Sequence, residues 1–301
     1  MASPAFGESY VFFTVSGSTY NYPVGVNNSG DVGGYYEDAS GIHGFLRHSG
    51  GSIDTFDVPG GVYQVSGMNN RGDICGYTQN FAGFVRWSDG TVTEFSVQPN
   101  QATVPSAIND SGTVTGYYTT PSSEVGFIWT SDGNITTFAV GNPTRPLAIN
   151  ANGDIAGRSG SGANVAPFLR FGDGTFAKLR YPAPAGAASG INGTDQLIGD
   201  LYYAWNAQGQ HYNLVDAFVW SNGKFTQFSC DPRGINSAGD IAGGCAFGVG
   251  FLRTSDGTMK TFIVPAKGQL ADVVGLNDSD VIVGWTEAPL GSTSQGFLRF
   301  P

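Results

Sequence analysis

The residues able to do chemistry in this chain are few and scattered. Arg158 and Arg233 interrupt positions that equivalent segments fill differently, and Arg145 lies on a connection nearby. Together the three arginines could hold a carboxylate or phosphate through charge-assisted hydrogen bonds. Asp200 could equally neutralise one of them. Residues 200–216, D-L-Y-Y-A-W-N-A-Q-G-Q-H-Y-N-L-V-D, gather Tyr202, Tyr203, Trp205, His211 and Tyr212. Aromatic faces with little charge suit stacking on the C–H face of a sugar. The candidate proton carriers are His211, Asp200, Glu37, Glu124 and Glu287. Two carboxylates across a channel mouth could cleave a glycosidic bond. There is no Gly-x-Ser-x-Gly elbow, no phosphate loop and no His-rich metal spacing, so neither metal nor cofactor is expected.

These residues hang on a repeat. V-N-N-S-G-D-V-G-G at 26–34 returns as M-N-N-R-G-D-I-C-G, I-N-D-S-G-T-V-T-G, I-N-A-N-G-D-I-A-G, I-N-G-T-D-Q-L-I-G, I-N-S-A-G-D-I-A-G and L-N-D-S-D-V-I-V-G, seven copies spaced 40 to 44 residues apart. Each copy reads as four short strands with Gly/Asn turns; in copy two they cover 63–68, 73–77, 83–87 and 91–97. No window holds helical periodicity. The expected fold is all-β: a seven-bladed β-propeller of four-stranded antiparallel blades. Residues 1–301 are expected to form one domain.

The repeat positions have physical reasons. Asn opens every copy, and its side chain can accept the backbone N–H two residues on. Gly follows three later in five copies, and Asp195 and Asp280 replace it in the others, all residues that tolerate a left-handed turn. The Phe of the third strand should fill the space between blades. Asp31, Asp73, Asp154 and Asp240 are expected to meet Arg47, Arg86, Arg170 and Arg253 across the second and third strands. Trp129 and Trp220 replace the arginine in the two copies where Thr113 and Gln196 replace the aspartate. Copy seven breaks that rule with Val281 and Arg299. The chain ends after a third strand, so the N-terminal segment 10–15 should complete the last blade, with Phe13 in the place of Phe262.

The turn motif, the Gly-Phe-Leu-Arg third strands and Ala-Phe-Val-Trp at 217–220 resemble the bacterial extracellular HAF-repeat proteins, with His43-Gly44-Phe45 keeping the His. The resemblance covers nearly the whole chain and rests on turn and core positions. It implies secretion or a cell-surface location and carries no catalytic residue.

Two faces follow from this topology. The first-to-second and third-to-fourth turns share one and are uniform. The remaining loops share the other, where binding residues are expected near blades four to six. On that face Tyr35, Tyr36, Tyr117 and Tyr118 could extend a sugar-binding surface; the reading preferred for Tyr35, Tyr77 and Tyr117 is packing between blades. Arg71-Gly72-Asp73 spells an integrin tripeptide but belongs to the repeat, and the Asn-x-x-Gly-Asp turn lacks the carboxylates of a calcium loop.

Composition narrows the classes. The net charge is −10, from 24 acidic and 14 basic residues. Nucleic acid and membrane are poor partners for such a surface. The start Met-Ala-Ser-Pro lacks signal-peptide features, so either the chain is cytoplasmic or its leader was removed and a start Met added. The resemblance to HAF-repeat proteins implies the second, an extracellular or periplasmic protein whose leader is not in this chain. Of three cysteines, Cys230 and Cys245 could bridge, or all three could be thiols. Three functional readings stand in order. The first is a monomeric binding module for a small polar or carbohydrate-like molecule or a protein partner. The second is an enzyme at the same mouth, performing glycoside cleavage, elimination or cyclisation. The third is a structural surface repeat.

Overall fold

The computed structural model describes residues 8–177, 179, 183, 185–205, 211–245, 248–266, 270–288 and 293–301; of 202–205 and 211–215 it describes the backbone alone. Seven antiparallel sheets follow one another round a ring. Blade one is representative: Tyr20–Val26, Val32–Asp38, Gly41–Arg47 and Ile53–Phe56, from the axis outward. Among the described residues blade four keeps three strands, and its fourth is reduced to one bridge, Arg170 to Phe176. The chain is a seven-bladed β-propeller.

The ring closes by borrowing. Ser9–Phe13 pairs antiparallel with Ser294–Phe300, setting Phe13 opposite Gly296. Phe262 stands opposite Gly250 in the blade before, so the two phenylalanines are equivalent. The pairing leaves the last blade no free outer edge at its third strand and couples the two chain ends.

Glycine and phenylalanine form a cross-strand unit in every blade. The Gly that ends each motif faces the third-strand Phe: Gly34 with Phe45, and so on to Gly284 with Phe297. The ring lies across the glycine, and a Cβ at Gly34 would stand 2.6 Å from Phe45. Six of these rings are fully buried and Phe168 nearly so. Each contributes about 1.5–3 kcal/mol of burial.

The motif Asn does more than close its turn. Asn109 Oδ1 accepts the amides of Ser111 at 3.1 Å and Thr113 at 3.0 Å, and its Nδ2 donates to the Asn150 carbonyl of the next blade at 3.0 Å. The cross-blade bond recurs at six of the seven junctions and ends with Asn277 donating to Asn27 at 2.9 Å; at the first, Asn27 reaches the carbonyl of Asn70, one residue past the motif Asn, at 3.5 Å. Seven side-chain amides thus lock the blades in a circle. Asp195 and Asp280 occupy the left-handed turn position at φ 59° and 57°.

The expected Asp–Arg pairs do not form. Val32, not Asp31, is the register partner of Arg47. Each Asp instead accepts an amide of the neighbouring turn: Asp31 from Ser49 at 2.8 Å, Asp73 from Ser88, Asp154 from Gly172 and Asp240 from Ser255. Each Arg lies over the outer Phe of the preceding blade. Arg47 stacks on Phe13, Arg86 on Phe56, Arg170 on Phe138 and Arg253 on Phe228, at 5.1–5.5 Å. Trp129 makes the same contact in blade three, stacking on Phe95 at 4.6 Å. Arg299 over Phe262 obeys this rule, so the apparent exception of copy seven disappears. A planar cation and an aromatic ring are interchangeable against a ring face, which explains the replacement by Trp129.

Candidate functional site

A small residue, Gly or Ala, precedes every motif, from Gly25 in the first copy to Gly275 in the last, and each inner strand carries a bulge at the residue before it. In blades four to seven these are Leu147, Ser189, Arg233 and Val274, and all four line one cleft of about 300 Å³ on the variable face. A bulge turns an extra side chain out of the sheet, here toward the axis.

One step outward lies a layer of seven cross-strand pairs. In blade order they are Tyr22–Tyr35, Gln64–Tyr77, Val104–Tyr117, Arg145–Arg158, Ala187–Asp200, Asp231–Gly244 and Asp272–Trp285. The mouth is therefore divided. Blades seven, one, two and three present aromatics: Tyr22 meets Trp285 at 5.3 Å and Tyr35 at 5.1 Å. Blade four presents two arginines. Blades five to seven present Asp200, Asp231 and Asp272, which line the cleft together with Arg233.

The charges are unevenly matched. Arg233 binds Asp231 at 2.7 Å, and Arg145 makes a two-pronged pair with Glu124 while lying 4.9 Å over the Tyr117 ring. Among the described residues, Asp272, Glu37 and Glu287 have no cationic partner, nor has Arg158 an anionic one. Asp200 is largely enclosed, and its Oδ1 is buried without a hydrogen bond. Burial first, and the charge of Asp231 second, push its carboxyl up to about 7 against the pull of Arg233. Burial also raises Asp231. The Tyr77 hydroxyl is pushed up to about 12 by burial, with Tyr63, Tyr117 and Tyr35 adding to the effect.

Against the sequence reading, the three arginines do not converge on one point. Arg145 and Arg158 sit side by side in blade four, and Arg233 stands with the aspartates two blades on. Glu124 is taken by Arg145. Glu37 is the last residue but one of the second strand of blade one and Glu287 the last of that of blade seven, both near Tyr22. The stretch 200–216 is mostly an extended hairpin: Leu197–Trp205 pairs with His211–Ser221, so cross-strand hydrogen bonds replace the expected loop. The side chains of Tyr202, Tyr203, Trp205, His211 and Tyr212 lie outside the described residues. Tyr36 and Tyr118 are buried, against the expectation that they extend an exposed surface, because strand alternation sends neighbours to opposite faces. Tyr35 packs against the core between blades one and two, as expected, with its column bordering the mouth. Asp231 and Asp272 escaped the sequence reading. They occupy the repeat column of Tyr22 and Arg145, two residues before the bulge, and comparing that column would have found them.

Two other places were tested. At the uniform face the axis opens into a cavity of about 410 Å³ ringed by the motif asparagines, whose polar atoms are spent on holding the blades together. In blade one, Ser40 Oγ lies 2.9 Å from His43 Nε2 and His43 Nδ1 2.6 Å from Asp57 Oδ1, the connectivity of a serine-nucleophile triad. Asp38 disables it. Its carboxylate accepts the Ser40 hydroxyl at 2.6 Å and the amides of Ser40 and Gly41, the donors an oxyanion would need. Among the described residues no group of three or more His, Cys, Asp or Glu could hold a metal ion, and no helix is long and apolar enough to cross a membrane.

No protein-family profile and no curated protein sequence matches the chain. Solved structures do. Virginiamycin B lyase from Staphylococcus aureus superposes with a TM-score of 0.67 at 16% identity, over 98% of this chain and 99% of that one. A catalytically inactive form of that lyase with quinupristin gives 0.68 at 16%, over 98% and 100%. YCF48 bound to D1 peptide gives 0.60 at 10%, over 100% and 99%. At these identities the likeness is one of fold.

Proposed function

We propose that this propeller is a binding module whose site is the axial mouth on the variable face, and that it takes a small polar organic molecule bearing a positive charge. The division of a single side-chain layer into an aromatic arc and an acidic sector carries this reading. An ammonium or guanidinium group would be held by Asp200 and Asp272, with an attached flat body against Tyr22, Tyr35 and Trp285. Propellers of like fold hold quinupristin and D1 peptide, which fits a mouth that accepts small or peptidic ligands. The test is a thermal-shift and calorimetric screen of organic cations against neutral and anionic analogues. A ligand at 100 times its Kd should add about 2.7 kcal/mol of stability. Binding of cations, lost in Asp272→Asn, is expected; binding of anions alone would overturn the reading.

A second reading adds acid–base catalysis at the same cleft. Its support is Asp200, a carboxyl raised to about 7 beside a cavity, able to give and take a proton near neutral pH. An activity with a pH limb near 7 that vanishes in Asp200→Asn would establish it.

A location outside the cytoplasm is part of the proposal. The Cys230–Cys245 disulfide and the resemblance to extracellular HAF-repeat proteins support it. Finding the oxidised protein in the periplasm or medium of its native host, and not in the cytosol, is the test.

A further inference from the structure

Blade two departs from its own repeat in two adjacent places, and each departure brings an aromatic side chain to the surface. Its inner strand has an additional bulge at Tyr63, between Val62 and Gln64, that the described register of no other blade shows. Its second-to-third-strand loop holds Phe81 at φ 62°, a conformation that is an outlier for a bulky residue. The Phe81 backbone is fixed on both sides: its N–H donates to the Thr78 carbonyl at 2.9 Å, and its carbonyl accepts from Thr103 at 2.8 Å. Tyr63 remains 47% exposed and Phe81 50%. Tyr63 stacks on Tyr77 at 5.1 Å and lies 6.3 Å from Phe81, so the rings form a stepped platform beside the mouth.

The surroundings carry no charge. The segments 58–62, 78–82 and 96–103 contain no ionisable residue, in a protein of net charge −10. Their polar side chains are amides and hydroxyls, among them Gln79, Asn80, Gln101 and Thr78. Thr119 Oγ1 donates to Gln101 Oε1 at 3.3 Å, and that threonine borders a cleft of about 570 Å³ lined by Thr120, Ser123 and Asn142, with the charges of Glu124 and Arg145 at its edge paired to each other. Ring faces flanked by amides and hydroxyls match a neutral sugar: its C–H face stacks on the ring, and each amide both donates to and accepts from hydroxyls. A charged ligand would find no counter-charge in these segments of blade two, and the two charges of the neighbouring cleft already neutralise each other.

We propose that blade two carries a binding surface for a neutral polysaccharide chain, with Tyr63 and Phe81 as stacking platforms and the hydroxyl-lined cleft of blades three and four continuing the track. The surface adjoins the axial mouth at Tyr77 and Arg145 but takes in none of its acidic residues, Asp200, Asp231 and Asp272.

The test is calorimetry with neutral hexasaccharides from cellulose, xylan, starch and chitin. At least one should bind. Tyr63→Ser and Phe81→Asn should each weaken it by about tenfold or more. Asn tolerates the left-handed backbone, so the loop survives that change. Asp272→Asn, which removes the proposed mouth ligand, should leave saccharide binding unchanged. The proposal is overturned if none of the four binds, or if binding survives both aromatic substitutions. It is also overturned if those two residues prove to capture a protein partner and no sugar.

Discussion

The guanidinium of Arg47 lies 5.2 Å from the ring centre of Phe13, across the seam where the N-terminal strand completes the last blade. The first blade thus meets the last by the same stacking that joins other neighbouring blades.

Phe13→Ala should destabilise the protein by about 3–5 kcal/mol, because it empties a packed site at that seam. Arg47→Lys keeps the charge and loses the planar stack. A Phe13/Arg47 double-mutant cycle in urea should return a coupling of about 0.5–2 kcal/mol. Additive effects would mean that the contact is incidental.

The asparagine circle predicts a pH-dependent lesion. Asn109→Ala strands two amides and one carbonyl and should cost about 2–4 kcal/mol. Asn109→Asp keeps the acceptor, loses the donor and sets a carboxylate against the Asn150 carbonyl. That variant should be weakest at neutral pH and regain stability as the side chain protonates in acid. Urea midpoints from pH 3 to 7 check this.

Asp200 sets a slope of the same sign in the native protein. Its carboxyl is raised from 3.8 to about 7 in the folded protein. Between those values the folded state binds more protons than the unfolded, so stability falls as pH rises through the window and levels off above it. The slope is at most about 1.4 kcal/mol per pH unit. Asp200→Asn should flatten the profile, with Asp231 leaving a residual slope in the same direction. A profile unchanged by the substitution would refute the raised carboxyl.

The cysteines should behave unequally. Cys230 and Cys245 are joined across a separation of 15 residues, and replacing both with Ser should cost about 3 kcal/mol. Cys75 is fully buried, and burial pushes its thiol up to about 12. A thiol reagent should therefore find no reactive cysteine in the native protein and one in denaturant.

Much of this was legible from local chemistry. The Asn and Gly of the turn, the small residue before it and the third-strand Phe recur because backbone conformation and strand alternation act over a few residues, and seven copies average out the noise. The place of Phe13 could be read from its likeness to Phe262 for the same reason. The partners of the charges could not. Asp31 and Arg47 lie in the same turn region on paper, yet one caps Ser49 and the other crosses to Phe13 of another blade.

The site divides along the same line. The odd residues Arg158, Asp200 and Arg233 stood out as breaks in the repeat, because a break is visible inside one chain. Their grouping was not visible: Arg145 to Glu124, Arg233 to Asp231, and Asp200 left with a buried, unpartnered oxygen. By itself the sequence determined seven blades, their turns and the closure of the ring. The tertiary structure alone decided which side chains meet round the axis, since that depends on the bulges and on which face of each blade meets its neighbour, geometry set between repeats and not within them.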